Sequence, residues 1–327
     1  MARSVLVAGG AGFIGSQVCK RLAAAGMVPV AYDTLEKGHD WAVRWGPMER
    51  GDIGDEARLT EVFARHKPDA VIHLAGYIEV GESMREPERY WHNNTVKTKT
   101  LIQFAETHGV EHFVFSSTCA VYGAPRTPRL AEGHPFNPAS VYGETKLAVE
   151  ELLRAPERRL RSIALRYFNA AGADPDGDVG EAHDPESHLM PLAIDAMLGT
   201  GRPLTVYGGD YDTPDGTGVR DFVHVDDLAD AHVRALGYLA KGGTATALNV
   251  GSGQGYSVRQ LIDATGRLAG SKVPHSIGPR RAGDVAKLVC DTTLIERELG
   301  WSPTHGLEAQ IEHALRWRRK MPRQAQS

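Results

Sequence analysis

The first half of the chain alternates short apolar runs with segments of helical periodicity. Runs rich in β-branched and aromatic residues predict strands at residues 5–8, 28–32, 70–74, 113–116 and 162–167. Apolar residues at helical spacing predict helices at residues 14–25, 56–65, 95–108 and 142–153. Strands that are apolar on both faces and alternate with helices indicate a parallel sheet covered on both sides. The pattern therefore predicts an α/β fold with a doubly wound parallel sheet.

The pattern changes after Asn169. Residues 173–187 and 208–218 are polar and lack periodicity, and long segments of this kind in compact enzymes often bind ligands. Residues 247–250 return to strand character, and residues 307–319 have the pattern of an amphipathic closing helix.

These shifts predict two domains. Residues 1–170 would form a dinucleotide-binding domain of the Rossmann type, with a return segment near 221–252. Residues 171–327 would form a smaller α/β substrate domain, and residues 322–327 are expected to be a frayed tail.

Composition limits the classes of partner. The net charge of −4 gives no reason to expect nucleic acid, and neither a polybasic run nor an apolar stretch of about 20 residues points to a membrane. Cys19, Cys119 and Cys290 are too scattered for a disulfide framework, so a reducing cytoplasm is the expected location. None of the 14 histidines shows the spacing of a zinc site, and no metal is expected.

A glycine-rich turn follows the first predicted strand and opens the first predicted helix. Gly9, Gly12 and Gly15 form a G-x-x-G-x-x-G pattern, in which the missing side chains let backbone N–H groups approach a pyrophosphate. Asp33 ends the second predicted strand, about 20 residues on, where an acid commonly bonds the adenosine ribose. Because a carboxylate there repels a 2′-phosphate, the pattern favours NAD over NADP.

A tyrosine and a lysine share one helix face further along the chain. Tyr142 and Lys146 are four residues apart, and they follow a hydroxyl cluster that contains Ser116 and Thr118 at the end of a predicted strand. Ligands of open α/β sheets bind at the carboxyl ends of strands. A neighbouring ammonium and a cationic nicotinamide would lower the pKa of the phenol toward that of a general base.

Taken together, these motifs resemble the extended short-chain dehydrogenase/reductase family over nearly the whole chain. Within that family the chain is most similar to the UDP-galactose (UDP-glucose) 4-epimerases. The stretches that carry the resemblance are residues 8–15, 51–53, 80–83, 116–123, 142–146, 166–172, 216–224 and 280–284.

The resemblance implies a role for each matching residue. Tyr142, Lys146 and Thr118 would be catalytic. The residues implied in NAD binding are Gly9, Gly12, Phe13, Ile14, Gly15, Asp33, Asp52, Ile53, Leu74, Ala75, Gly76, Asn93, Ser116, Tyr142, Lys146 and Phe168. Those implied in holding the UDP-sugar are Thr118, Asn169, His188, Leu189, Tyr207, Arg220, Arg281, Asp284 and Leu288. The resemblance also implies a homodimer.

Other activities on the same scaffold remain to be weighed. Nucleotide-sugar 4,6-dehydratases and UDP-glucuronate decarboxylases carry an acid shortly after the catalytic hydroxyl, whereas Thr118 is followed by Cys119 and Ala120. A non-catalytic NAD-sensing protein would usually lack one member of the tyrosine and lysine pair. The sugar itself stays open: UDP-galactose is the leading candidate, with UDP-arabinose, UDP-xylose or a UDP-N-acetylhexosamine as alternatives.

Overall fold

The computed structural model describes residues 3–281 and 283–321. The strands are β1 (Ser4–Ala8), β2 (Val28–Asp33), β3 (Met48–Arg50), β4 (Ala70–His73), β5 (His112–Thr118), β6 (Arg161–Tyr167), β7 (Asn169–Ala171), β8 (Leu204–Tyr207), β9 (Val219–His224), β10 (Ala247–Val250), β11 (Gly255–Ser257), β12 (His275–Gly278) and β13 (Lys287–Leu288). The tail expected at residues 322–327 lies outside the described residues.

The helices lie between and after these strands. They are α1 (Phe13–Ala24), α2 (Glu56–His66), α3 (Val80–Arg85), α4 (Pro87–Tyr90), α5 (Lys97–Thr107), α6 (Val141–Arg154), α7 (Leu189–Leu198), α8 (Val225–Ala240), α9 (Val258–Ala269), α10 (Thr293–Leu299) and α11 (Leu307–Lys320). In the described part of the chain, none of them is long and apolar enough to span a membrane.

Seven parallel strands form the main sheet, in the order β3-β2-β1-β4-β5-β6-β10. The chain runs from β1 outward to β3, returns to β4 beside β1, and then continues in the opposite direction. This reversal leaves a crevice at the carboxyl ends of the strands, which is where such sheets bind ligands. Two apolar clusters, one containing Val18 and Leu228 and the other Phe63 and Leu101, pack against the sheet. The predicted fold class is confirmed.

A smaller layer of structure follows β6. There β9 pairs with β7, β11 and β13, and β8 pairs with β12. Its core is an apolar cluster that includes Met190, Ile194, Leu261, Ile311 and Leu315. The segments expected to be irregular, residues 173–187 and 208–218, contain turns and bends but no helix or named strand.

Local sequence explains several helix boundaries. The side chains of Asp55 and Ser140 accept hydrogen bonds from the backbone at the starts of α2 and α6, and Ser257 forms a capping box with Gln260 at the start of α9. The helix expected at residues 95–108 differs from the prediction. It begins as α-helix only at Lys97 and is preceded by a π-helical turn at Trp91–Val96.

Candidate active site

The glycine turn has the backbone that its sequence predicts. Gly9 has a φ of +84°, and a Cβ placed there would lie 2.6 Å from the backbone nitrogen of Ala75. A Cβ on Gly15 would lie 2.0 Å from the carbonyl oxygen of Gly9. Gly12 caps α1, whose first turn carries no acidic residue. Phe13 and Ile14 follow immediately. The positive end of the helix dipole therefore lies at a glycine loop that presents backbone groups rather than side chains.

Asp33 lies beside this turn at the end of β2. Its carboxylate accepts hydrogen bonds from the backbone N–H groups of Ala11, at 3.0 Å, and Leu35, at 2.9 Å. Burial raises its pKa, and these backbone donors oppose the shift. The carboxylate therefore forms the local turn and also faces the glycine loop.

The residues at 52 and 53 lie next to the end of β3. Asp52 accepts from the backbone N–H of Gly54 and forms an ion pair of 2.5 Å with Lys97. Ile53 is buried against the apolar cluster of the main sheet. The Asp52 side chain is thus partly exposed, whereas the Ile53 side chain is buried.

A loop after β4 brings Leu74, Ala75 and Gly76 to the same edge of the sheet. It is held by Asn94, whose side-chain oxygen accepts from the backbone N–H of Tyr77 and whose amide donates to its carbonyl, both at 2.9 Å. Asn93 donates to the Asn94 side chain at 3.2 Å. Asn93 was predicted from the sequence and Asn94 was not, although Asn94 is 2% exposed and anchors the loop.

Tyr142 and Lys146 face the end of β5 from helix α6. The Lys146 ammonium donates to the backbone carbonyl of Ser116 at 2.9 Å, and it lies 5.9 Å from the centre of the Tyr142 ring. The backbone N–H of Tyr142 donates to the hydroxyl of buried Ser83 at 3.1 Å, which fixes the start of the helix. The structure therefore brings the predicted tyrosine, lysine and hydroxyl cluster together.

Burial dominates the ionisation of this pair. It raises the pKa of Tyr142 to about 12, a shift that the Thr118 hydroxyl opposes, and lowers the pKa of Lys146 to about 8. This differs from the lowered tyrosine pKa that the motif predicts. In the chain alone the loss of solvent outweighs the hydrogen bond with Thr118, so any lowering has to come from a positive charge placed beside the phenol.

A buried ion pair supports the strand that carries Thr118. Arg166 donates to both carboxylate oxygens of Glu150, at 2.9 and 2.6 Å, and to the Tyr122 hydroxyl at 2.7 Å. Ser117 donates to the same carboxylate. Burial works against the Glu150 charge, yet these partners keep the pKa of that carboxyl below its usual value. Neither Glu150 nor Tyr122 was predicted, because their partners are remote in sequence.

The residues expected around a diphosphate form two pairs. Arg220, on β9, donates to the backbone carbonyl of Val285 at 2.9 Å, and its guanidinium lies 3.6 Å from Asp284. The Arg281 guanidinium lies 3.8 Å from the centre of the Tyr207 ring. Arg281 thus lies on the segment between β12 and β13, and Arg220 lies on β9, the strand that pairs with β13.

Leu288 packs between this segment and the residues that follow β5. In the β13–β9 pairing it stands opposite Arg220. Its side chain packs against the buried cluster that contains Cys119 and Phe168, so it lies near the residue that follows Thr118. Asn169, next to Phe168, donates to the backbone carbonyl of Asp221 at 3.0 Å.

His188 and Leu189 stand at the start of α7. Leu189 packs against the core of the smaller layer. The His188 ring pairs with the Glu181 carboxylate, and His183 and Glu186 lie in the same group. The carboxylates raise the pKa of both imidazoles against the effect of burial. Of these four residues only His188 was predicted from the sequence, since Glu181, His183 and Glu186 match no known motif.

Comparison with known proteins places this site in a family. The model of the NAD dependent epimerase/dehydratase family matches residues 5–251. The UDP-glucose 4-epimerase of Rhizobium meliloti (strain 1021) is 50% identical over 318 residues, covering 96% of each chain. The enzyme of the same name from Rhizobium leguminosarum bv. trifolii is 49% identical, covering 97% of this chain and 98% of its own.

A solved structure has the same fold over its full length. The UDP-glucose 4-epimerase from Brucella ovis in complex with NAD superimposes with a TM-score of 0.94 at 47% identity, covering 96% of this chain and 98% of that one. The resemblance predicted from the motifs is confirmed. The chain belongs to the NAD-dependent epimerase/dehydratase family.

Proposed function

We propose that the protein interconverts UDP-glucose and UDP-galactose by inverting C4 of the sugar, with NAD as its cofactor. The observation that carries the proposal is the meeting of Thr118, Tyr142 and Lys146 at the end of β5, in a chain that aligns over 96% of its length with a UDP-glucose 4-epimerase. NAD fits the backbone cradle, where side chains on Gly9 or Gly15 would collide with neighbouring backbone.

The proposed chemistry divides between the cofactor and the chain. NAD+ bound at the glycine turn would supply the acceptor for hydride from C4 and the donor that returns hydride to the opposite face of the sugar. Tyr142 takes the proton of the 4-hydroxyl, and Thr118 hydrogen-bonds the same oxygen. Lys146 lies between the Ser116 carbonyl and the phenol, so its charge favours the phenolate and helps to hold the nicotinamide ribose.

The smaller layer is proposed to hold the nucleotide and to allow the sugar to turn. Arg220 and Arg281 suit a diphosphate, because a guanidinium binds oxygen atoms in pairs. Asn169, His188, Leu189, Tyr207, Asp284 and Leu288 complete the proposed UDP-sugar site. A 4-keto sugar formed there has to present its second face before reduction, so the site needs firm contacts to UDP and few to the hexose.

We also propose that the protein is a cytoplasmic homodimer. Val80, Met84, Trp91 and Val96 expose 50, 58, 38 and 52% of their surface along a short stretch of α3 to α5. Exposed apolar groups of this kind favour burial against a partner. Sedimentation at several concentrations would reveal a dimer, and a monomer at all concentrations would contradict this part of the proposal.

Product analysis tests the activity. The purified protein, with no cofactor added, is incubated separately with UDP-galactose, UDP-arabinose and UDP-N-acetylgalactosamine, and the products are identified by NMR. We expect UDP-glucose from UDP-galactose, and NAD(H) in the supernatant after denaturation. Loss of water or carbon dioxide from the sugar would favour a dehydratase or a decarboxylase, and release of NADP(H) alone would contradict the cofactor. Tyr142→Phe serves as the control for contaminating activity.

A further inference from the structure

Three groups of histidines and acids lie close enough together to be examined as cation sites. The described residues contain the groups Asp174, Asp176 and Asp178; His224, His305 and His313; and Glu181, His183, Glu186 and His188. The first already holds a cation of the chain itself. The Lys20 ammonium donates to all three aspartates, at 2.7, 2.7 and 3.1 Å.

The histidine triad has its lone pairs in the wrong places. His224 accepts from the backbone N–H of Asp226 at 3.0 Å through Nδ1, so the proton of its neutral ring is on Nε2. That Nε2 lies 2.9 Å from Nδ1 of His313 and donates to it. A metal at Nε2 would require His224 to lose both ring protons. The triad is therefore a hydrogen-bonded group and a poor site for a metal.

The third group differs, because its donor atoms converge. Nδ1 of His183 lies 3.0 Å from Oε1 of Glu181 and 3.7 Å from Oε1 of Glu186, and Nδ1 of His188 contacts Oε1 of Glu181. All the ligand atoms lie within 4.8 Å of one another. Neighbouring ligands on a tetrahedral zinc are about 3.4 Å apart when each bond is about 2.1 Å. Small side-chain rotations would bring the four donors to that geometry.

The group also contains buried polar atoms without partners. Among the described residues, Oε2 of Glu186 is buried without a hydrogen-bond partner, and Nδ1 of His183, also buried, faces Oε1 of Glu181 at 3.0 Å without the geometry of a hydrogen bond. The Glu186 side chain is 8% exposed and that of Glu181 is 5% exposed. Leaving such atoms unpaired costs free energy, and a ligand for them would recover it.

Charge gives the same indication. Two carboxylates face two imidazoles; the charges balance when both rings are protonated, whereas neutral rings would leave two buried negative charges. The guanidinium of Arg318 lies 4.0 Å from Oε2 of Glu186, but it is paired with Asp195. One dication would neutralise the group and leave both rings in their neutral, ligating form.

The backbone holds the ligand-bearing segment in place. The carbonyl of Ala182 is bonded by the His39 ring at 2.8 Å, and the carbonyl of Glu181 accepts from the Trp317 indole at 3.0 Å. The backbone N–H groups of Ser187 and His188 donate to Oε1 of Glu186 at 2.9 and 3.0 Å. A segment fixed by such contacts loses little freedom when it binds an ion.

We propose that Glu181, His183, Glu186 and His188 bind one divalent cation of the Zn²⁺ and Co²⁺ class. Two imidazoles and two carboxylates form a donor set that suits these ions, whereas Mg²⁺ and Ca²⁺ prefer oxygen ligands alone. The cation takes no part in the epimerase chemistry. It cross-links four side chains of the segment before α7 and fixes the orientation of the His188 ring.

Titration with the metal alone tests this site. The protein as purified, with its cofactor, is dialysed against a chelator and then titrated with Zn²⁺ by calorimetry and with Co²⁺ by visible absorption. We expect one equivalent to bind and Co²⁺ to give the strong absorption of a four-coordinate ion. His183→Gln and Glu186→Gln should each weaken binding by at least about tenfold and lose that absorption.

His313→Gln is the matched control, because it removes a histidine from the rejected triad and should leave binding unchanged. Circular dichroism establishes whether each variant is folded. If His183→Gln does not fold, the binding measured for Glu186→Gln tests the site. Three results would overturn the proposal: no stoichiometric binding by the wild type, equal affinities in wild type and both variants, or loss of binding in His313→Gln only. Any of them would leave the four side chains as a set of ion pairs.

Discussion

The two halves of the proposed site are built in different ways. The cofactor side, from the glycine turn to Lys146, stands on the ends of parallel strands, and its key groups are buried. The substrate side, from His188 to Leu288, stands on the start of α7, on short strands and on the segment before β13, where Tyr207 is 38% exposed and Arg281 is exposed. Desolvated charges are costly but act strongly at short range, whereas exposed ones are screened. We infer that the cofactor side governs turnover and the substrate side governs affinity.

Tyr142→Phe provides the most severe test of this division. Loss of a general base typically lowers the rate by about 10²–10⁴-fold. We expect kcat to fall within that range while the Kd for UDP stays near that of the wild type, since the proposed mechanism places the phenol against the sugar and not against the nucleotide. Fixed-time NMR assays measure kcat, and calorimetry measures the Kd for UDP. Turnover near the wild-type value would show that the base lies elsewhere.

Lys146→Met should separate activity from stability. Turnover should fall severely, because the charge that favours the phenolate is lost. Burial lowers the pKa of Lys146 from 10.5 to about 8, which corresponds to about 3 kcal/mol of destabilisation at neutral pH. Removing that charge should therefore raise Tm, or at least leave it unchanged, despite the lost hydrogen bond to Ser116.

The pH dependence of that difference has a defined sign. Between about pH 8 and the unfolded pKa near 10.5 the unfolded chain binds more protons at this site than the folded one, so the wild type gains stability as pH rises. The Tm advantage of Lys146→Met should shrink over that window, measured at equal saturation with NAD. A constant difference from pH 7 to pH 10 would mean that Lys146 is not the desolvated group that its burial indicates.

On the substrate side, Arg281→Ala and Arg220→Ala should weaken UDP binding and spare NAD. Each charge-assisted contact to a diphosphate contributes about 1.5–3 kcal/mol, so affinity should fall about 10–100-fold. Arg280→Ala is the matched control, because that arginine is committed to Asp210 at 2.7 Å on the surface. If calorimetry gave Arg281→Ala and Arg220→Ala the same UDP affinity as Arg280→Ala and the wild type, the assignment of these two arginines to the diphosphate would be wrong.

Leu288→Tyr should give the smallest effect, as a change of preference between sugars. An acetamido group needs several heavy atoms of room at C2, and a ring cannot move aside without leaving its rotamer. We expect kcat/KM for UDP-N-acetylgalactosamine to fall about tenfold more than for UDP-galactose. Leu288→Met, which nearly conserves volume, is the control. Parallel losses on both sugars would show that residue 288 does not face C2.

Features set by neighbouring residues were predictable from the sequence. The glycine turn, the end of β1 and the spacing of Tyr142 and Lys146 each depend on one short stretch of sequence, so hydrophobic periodicity and a few side chains define them. Strand β3 escaped prediction because it has three residues, and the middle one, Glu49, is a buried acid paired with Arg58 and Arg65. Helix α8 escaped because buried Asp226, Asp227 and His232 interrupt its apolar face.

Features assembled from distant segments required the fold. Arg220 approaches Asp284 only because β9 and β13 are neighbours, and no spacing in the sequence encodes that pairing. Glu181 and His183 were not predicted as metal ligands, because their spacing along the chain matches no standard zinc motif. The family resemblance supplied Arg220 and Asp284, but it offered nothing for the Glu150 and Arg166 pair that supports β5.

The π-helical turn at Trp91–Val96 sets a limit on how the length of the chain can change. Its wider turn accommodates an extra residue, and deletion of one residue would close it to α-helix and shift the residues within the turn, Asn94 among them, while the helix on either side keeps its face. Asn94 would then leave Tyr77, and the loop beside Lys146 would lose its anchor. A one-residue change after α5, where Gly109 turns the chain, would be absorbed by solvent-exposed backbone. Related chains should therefore accumulate insertions and deletions at that later turn and keep the length of Trp91–Val96 constant.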